Sequence, residues 1–321
     1  MDRDHLLAVL EETERRLDPA NPESQGRVKV LAYGEISAAL TIYALPGRVC
    51  KRMAGYPDTS SVNAYLDLVD EYLAELTAAG INVVPTEVIP VHRPDRPPVV
   101  YLVQPRMDPQ TLGHMQLHST DEDGLAAVVG RVLESVTVLS QRSAARTDGV
   151  EVALDGQLSN WSFSPIGPAS GDSGAAAPRP VLLDVGTPFV RRHGTHRLDA
   201  RVVVSPAPPG IRALLLRFVA DSYQDDYFVP RTVALDLLGN FHKEGAAHRI
   251  DTGLAVVNQW LATADVPGPR DPIRRTEVAE YYRRDARLLA LFLHARRADR
   301  AIRTRVLRQR YDFLLPGKVT R

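Results

Sequence analysis

Four polar residues suit phosphate and hard-metal chemistry, and three of the four close short apolar runs. Lys51 lies in Val49-Cys50-Lys51-Arg52. Asp155 and Asn160 bracket Asp155-Gly156-Gln157-Leu158-Ser159-Asn160, and Asp184 opens Asp184-Val185-Gly186. Carboxylate and amide oxygens are hard donors of the kind Mg²⁺ takes, an ion that keeps several waters and bridges phosphates. A lysine is a compact point charge suited to phosphate oxygens. An aspartate beside an attacking hydroxyl accepts or orients its proton. Each residue also has an ordinary reading: a strand-edge lysine, an Asp-Gly turn, a strand end. Their order along the chain is what gives the set weight.

The elements that would position them follow from periodicity. Residues 5–17 read as a helix with Leu6, Leu7, Leu10 and Leu17 on one face. Three β-rich runs, 28–33, 38–44 and 48–53, are separated by Gly34 and by Pro46-Gly47, the pattern of an antiparallel meander. A helix is expected over 62–79, with Val62, Tyr65, Leu66, Val69, Tyr72, Leu73 and Leu76 as its apolar stripe and Gly80 just past its end. Strands at 83–91 and 99–103 flank a Pro-rich turn at 92–98. A long apolar helix over 124–145 precedes Asp155, and short strands at 150–154 and 181–184 lead into Asp155 and Asp184. The segment 164–180, rich in Gly, Pro, Ala and Ser, reads as a surface loop. Further helices are expected at 211–221, 252–263 and from 276 to about 311. The class is α+β: a small β-rich lobe at 1–104, joined to a mainly helical lobe at 105–321.

This order of motifs resembles the protein-kinase-like superfamily, and within it the aminoglycoside phosphotransferase and choline kinase branch, over about residues 28–190. In that family a lysine on the third strand holds the non-transferred phosphates. An Asp-x-x-x-x-Asn loop supplies the base and a metal ligand, and an Asp-Phe-Gly-type motif supplies the second metal ligand. The resemblance implies a bilobal kinase-like fold that uses ATP and Mg²⁺. Lys51 would hold phosphate, Asp155 would act as the base, and Asn160 and Asp184 would ligate the metal. It also implies an acid on the following helix as partner of Lys51. Glu71 is the first choice by position, although it lies nearly opposite the apolar stripe, and Asp70 and Glu75 are the alternatives. Gly34 and Ser37, in the turn 33–37, would cover the phosphates with backbone N–H groups and a hydroxyl. Gln104 and Met107 belong to the expected hinge at 103–107, whose backbone would receive adenine.

Departures from the family pattern are informative. Ala153 stands where a histidine commonly precedes the catalytic aspartate, and Gln157 stands where most protein kinases have lysine. No Ala-Pro-Glu segment follows. These differences point away from a protein substrate and towards a hydroxyl on a small molecule. The alternative is a pseudokinase, a nucleotide-binding or scaffolding module without turnover. Arg191, Arg192 and His193, close behind Asp184, are candidates for touching an anionic substrate.

Composition narrows the partners. Lys+Arg and Asp+Glu both number 39, so no global field selects nucleic acid or membrane. Residues 270–321 carry 15 Lys+Arg against 6 Asp+Glu, which reads first as a solvated basic helix face. Cys50 is the only cysteine, which excludes an intrachain disulfide and a cysteine-based zinc site. No run approaches the ~18 apolar residues of a membrane span, and the amphipathic start lacks the apolar core of a signal peptide. A cytoplasmic location is the expectation.

Overall fold

The computed structural model describes residues 2–34, 36–164, 179–205, 207–218 and 224–316. The expected surface loop at 164–180, the middle of the turn at 33–37 and the end of the helix expected at 211–221 lie largely outside the described residues.

Strands β1 (Val28–Tyr33), β2 (Ser37–Ile42), β3 (Arg48–Met53), β4 (Glu87–Arg93) and β5 (Arg96–Pro105) form an antiparallel sheet in the order β1-β2-β3-β5-β4. The Pro-rich turn contracts to Pro94-Asp95, because Arg93 pairs with Arg96 and β5 begins at once. The strand expected at 83–91 starts only at Glu87. Val83 and Val84 instead join Leu182 in the second lobe, by a parallel bridge and an N–H to carbonyl bond of 3.0 Å.

Helix α1 (Arg3–Arg16) covers one face of the sheet and α2 (Thr59–Ala78) the other. Helix α2 starts three residues before the expected point because Asp58 and Ser61 form a reciprocal capping box. The alternation of β3 sorts its side chains. Cys50 and Arg52 point towards α1, into a core with Leu6, Leu10, Leu40 and Tyr101, whereas Lys51 points towards the second lobe.

The second lobe begins with α3 (Gly113–Ser119) and α4 (Glu122–Ala145). Short strands β6 (Val150–Val152), β7 (Trp161–Ser164), β8 (Arg179–Leu182), β9 (Val190–Arg192) and β10 (Thr195–His196) follow. Then come α5 (Ala200–Val203), α6 (Pro209–Phe218), α7 (Pro230–Lys243), α8 (Ile250–Thr263) and α9 (Arg275–Ala301). Among the described residues, β7 pairs with β8, and β6 and β10 flank β9. A five-stranded antiparallel sheet with one helix between its third and fourth strands, set on a helical lobe, is the kinase-like α+β architecture. Helix α7 was not among the expected elements, and it carries residues of the site.

The last helix also differs from expectation. It stops at Ala301, passes through a wider turn at Ile302–Val306, and the chain then runs back to the first lobe. Leu314 packs in the core beneath α1, and Asp312 joins a buried ionic network there. Arg52 binds Glu14 through two contacts of 2.5 and 3.1 Å, Arg93 reaches Glu14 at 3.2 Å, and Tyr101 donates to Glu14 at 2.6 Å. Burial pushes the Glu14 carboxyl up, but Arg52, Tyr101 and Arg93 outweigh it and bring the group down to about 2. Residues 312–314 therefore form a C-terminal strap packed against α1 and the first sheet.

Candidate active site

Lys51 and Asp184 are 133 residues apart in sequence, and the fold brings Nζ to 2.5 Å from Oδ1. Both side chains keep partial access to solvent, 20% and 33%. Burial would raise the Asp184 carboxyl, but the Lys51 ammonium and the Gly186 N–H, at 3.0 Å from Oδ1, hold it below its ordinary value. Asp184 is thus an anion at neutral pH. Its segment is fixed from three sides. The Gln104 side-chain amide donates to the Leu183 carbonyl at 2.8 Å, Tyr65 donates to the Gly186 carbonyl at 2.9 Å, and the Leu183 N–H donates to the Asn160 carbonyl at 2.8 Å. The last bond ties the loop bearing Asp155 and Asn160 directly to the segment bearing Asp184.

Asp155 follows β6 and accepts the Gln157 N–H at 2.9 Å. It is half-buried. Burial, then the nearby Asp236 carboxylate, push its carboxyl up to about 7. A base whose proton affinity lies near neutral pH is matched to accepting and releasing a proton in turnover. The loop is also seated by a close backbone approach. A methyl group added at Gly113 would lie 1.9 Å from the Leu158 carbonyl oxygen, so only glycine fits there.

Helix α7 contributes residues that motif reading missed. Asp236, Asn240 and Lys243 stand at i, i+4 and i+7, which places them on one face, turned towards the loop of Asp155. Asp236 accepts from the Gln157 side-chain amide at 2.8 Å and from the Tyr281 hydroxyl at 3.0 Å. Lys243 donates to Gln157 Oε1 at 2.9 Å. Burial raises the Asp236 carboxyl as well. The signal existed in the sequence: Pro230 at a helix start and Val233, Leu237, Leu238 and Phe241 at helical spacing, with a second, polar stripe between them.

Not every expected residue joins the site. Glu71 pairs with Arg192 at 3.1 Å and with Arg197 at 3.5 Å, and not with Lys51. Glu75 pairs with Arg146 at 2.6 Å, and Asp70 is exposed. Among the described residues no acid of α2 meets Lys51; Asp184 takes that place. The stripe of α2 faces the core, so an acid opposite it is delivered to the arginines of the second lobe. Arg191 likewise binds Glu151 at 2.6 Å and Asp225 at 3.2 Å, which ties its charge within the protein. Gly34 closes the turn through its N–H to the Ser37 carbonyl at 2.9 Å, and Ser37 is buried. Gln104 works through its side chain, while Met107 is half-buried just past β5.

The Asn160 backbone is bonded to Leu183, the residue before Asp184, and the Asp184 carboxylate lies beside the Lys51 charge, so an amide and a carboxylate are the oxygen donors on hand. Among the described residues, no group of three His, Cys, Asp or Glu forms a metal cage. A dedicated cage is not what Mg²⁺ on a nucleotide requires: one or two protein oxygens suffice when waters and phosphates complete the shell. The donor set fits that ion.

A family model matches residues 20–300. The chain belongs to DUF6206, a family of unknown function. No curated protein matches it. Among solved structures, WaaP in complex with acyl carrier protein is similar at 13% identity and TM-score 0.38, over 90% of this chain and 91% of that one. The GDP and kanamycin complex of APH(2″)-IIIa is similar at 10% identity and TM-score 0.35, over 80% of this chain and 98% of that one. Likenesses this distant leave the reading of the DUF6206 site to its own geometry. Among the described residues, no helix is long and apolar enough to cross a membrane.

Proposed function

We propose that the protein is an ATP-dependent phosphotransferase that places the γ-phosphoryl group on a hydroxyl of a small molecule. The observation that carries this reading is the meeting of Lys51 and Asp184 at 2.5 Å, a cation from the sheet and an anion from the helical lobe, both partly open to solvent. Phosphoryl transfer asks the protein mainly for positioning and charge neutralisation. Lys51 would hold phosphate oxygens that stay with the leaving nucleotide. Asn160 and Asp184 would hold Mg²⁺, whose charge offsets that of the phosphates. Asp155, with its raised proton affinity, would take the acceptor's proton as the new O–P bond forms and the bridging P–O bond of ATP breaks. The electron pair of that bond leaves with ADP. Gln157 in place of a lysine and the missing Ala-Pro-Glu segment favour a small acceptor over a protein.

One observation favours a second reading, a nucleotide-binding pseudokinase. Among the described residues no acid of α2 pairs with Lys51, because Glu71 is held by Arg192 and Arg197 and Glu75 by Arg146. Transfer of labelled γ-phosphate from Mg–ATP to a panel of sugars, amino alcohols and polyols separates the two, with hydrolysis to water as a second readout. Transfer or hydrolysis that falls 10²–10⁴-fold in Asp155→Asn supports the enzyme. Tight Mg–ATP binding with neither reaction supports the pseudokinase.

A further inference from the structure

We propose that Lys243 is a further catalytic residue, one that contacts the transferred γ-phosphoryl group from the acceptor side of the site. This inference rests on the phosphotransferase reading above and adds a residue to it.

The charge distribution is the starting point. Asp155 and Asp236 both bind Gln157, and the loop of Asp155 is bonded to the segment of Asp184, so three carboxylates gather at one place. A γ-phosphoryl group arriving there brings further negative charge. Lys51 is bound to Asp184 at one end of the site and serves the nucleotide side. At the other end, where Asp155 awaits a hydroxyl, the loop supplies only the neutral Gln157, two residues along. The missing cation is delivered through space. Lys243, at the C-terminal end of α7, sets its ammonium 2.9 Å from Gln157 Oε1. A lysine in the last turn of a helix is also favoured by the helix dipole, which costs the protein nothing in charge balance.

Gln157 acts as the holder. Its N–H binds Asp155 at 2.9 Å, its side-chain NH₂ binds Asp236 at 2.8 Å, and its side-chain oxygen accepts from Lys243 at 2.9 Å and, at 3.5 Å, from Asn240. The amide orientation is therefore set by a carboxylate on one side and an ammonium on the other. Lys243 and Asp236 thus meet on the side chain of the residue whose N–H is bound to Asp155. Lys243 is exposed. Among the described residues its hydrogen-bond partner is the neutral Gln157, and it has three rotatable donors to turn onto phosphate oxygens.

In the transfer itself, the acceptor oxygen forms its bond to the γ-phosphorus while the bond to the ADP oxygen breaks. The acceptor proton passes to Asp155, and the electron pair of the broken bond stays on ADP. The work of Lys243 is to offset charge on the equatorial oxygens of the group in flight, charge that neither Gln157 nor Asp155 can meet.

The test compares nucleotides that differ only by the γ-phosphate. Binding of ADP and of a non-hydrolysable ATP analogue, both with Mg²⁺, is measured by calorimetry for wild type, Lys243→Ala, Lys243→Arg and Lys51→Ala. Lys243→Ala is expected to weaken the ATP analogue by about 10-fold or more, the reach of one charged hydrogen bond, while leaving ADP within about twofold. Lys51→Ala is expected to weaken both. Lys243→Arg is expected to recover most of the analogue's affinity. Because Lys243 is exposed, its replacement leaves the core intact, which a thermal melt checks. Equal effects of Lys243→Ala on the two nucleotides, or no effect on either, would overturn this role while leaving the phosphotransferase reading standing. Failure of wild type to bind either nucleotide would overturn both.

Discussion

Replacing Asp155 by asparagine is expected to stabilise the protein at alkaline pH. The carboxyl of Asp155 is pushed from 3.8 up to about 7 by burial and then by Asp236, with Asp184 adding repulsion and Lys243 and the Gln157 N–H opposing it. The unfolded chain releases this proton near 3.8, whereas the folded protein holds it to about 7. Between those values the folded state binds more protons, so stability falls as pH rises. Below about pH 4 the group costs nothing, and above about pH 7 the cost is complete. The step corresponds to about 4 kcal/mol at about 1.4 kcal/mol per pH unit. Asp236 shares the same repulsion, so one substitution should recover about half of that, roughly 2 kcal/mol. Asparagine keeps the oxygen that accepts the Gln157 N–H at 2.9 Å, so the loop keeps its anchor. The assay is urea and thermal unfolding of wild type and Asp155→Asn at pH 4, 6 and 8. The expected result is a gain at pH 8, a rise of roughly 3–6 °C in Tm, that shrinks to nothing at pH 4. A variant less stable than wild type at pH 8, or equally stabilised at every pH, refutes the reasoning that the site holds this carboxylate against its own desolvation.

Four further outcomes follow from the same geometry. Arg52→Met leaves Glu14 only 2% exposed without its main counter-charge and should cost about 3–5 kcal/mol in urea unfolding. Glu14 itself, depressed to about 2, contributes stability that is complete above its ordinary 4.5 and is lost as pH falls towards 2; a Glu14→Gln variant should lack that segment of the acid unfolding curve. Gly113→Ala would drive a methyl group into the Leu158 carbonyl at 1.9 Å, so it should displace the loop of Asp155 and Asn160 and lower both melting temperature and Mg–ATP affinity; unchanged values for both would show that the loop does not depend on this contact. Glu71→Gln should leave nucleotide affinity within about twofold, since Glu71 serves Arg192 and Arg197; a loss comparable with that of Lys51→Ala would restore the expected Lys51–Glu71 pair.

Much of the first lobe was legible because its signals are local. Gly34, the Pro46-Gly47 pair and alternating apolar residues mark strands that the fold reproduces at 28–33 and 48–53. Lys51, Asp155 and Asp184 lie on or just past strands expected from the short apolar runs beside them. Pairings between distant segments were not legible. Whether Lys51 meets Glu71 or Asp184 depends on how α2 is rotated against the second lobe, and α2 is rotated by its buried tyrosines: Tyr65 bonds Gly186 and Tyr72 bonds the Ala153 carbonyl, each at 2.9 Å. Asp236 and Lys243 were missed with their helix, whose apolar and polar stripes run side by side from Pro230 and are interrupted by Gly239. The strap at 312–314 escaped notice because its register is set by the ionic network of Glu14, Arg52 and Arg93, residues far away in sequence.

The measurement that bears most directly on the account is calorimetric titration of ATP, with and without Mg²⁺, into wild type, Lys51→Ala and Asp184→Asn. The account predicts that wild type binds ATP more tightly with Mg²⁺, that Lys51→Ala loses about 10-fold or more in affinity, and that Asp184→Asn binds ATP equally with and without the metal. Wild type that takes up no ATP at millimolar Mg²⁺ and nucleotide, or Asp184→Asn that keeps the full Mg²⁺ dependence, would contradict the assignment of a metal–nucleotide site here.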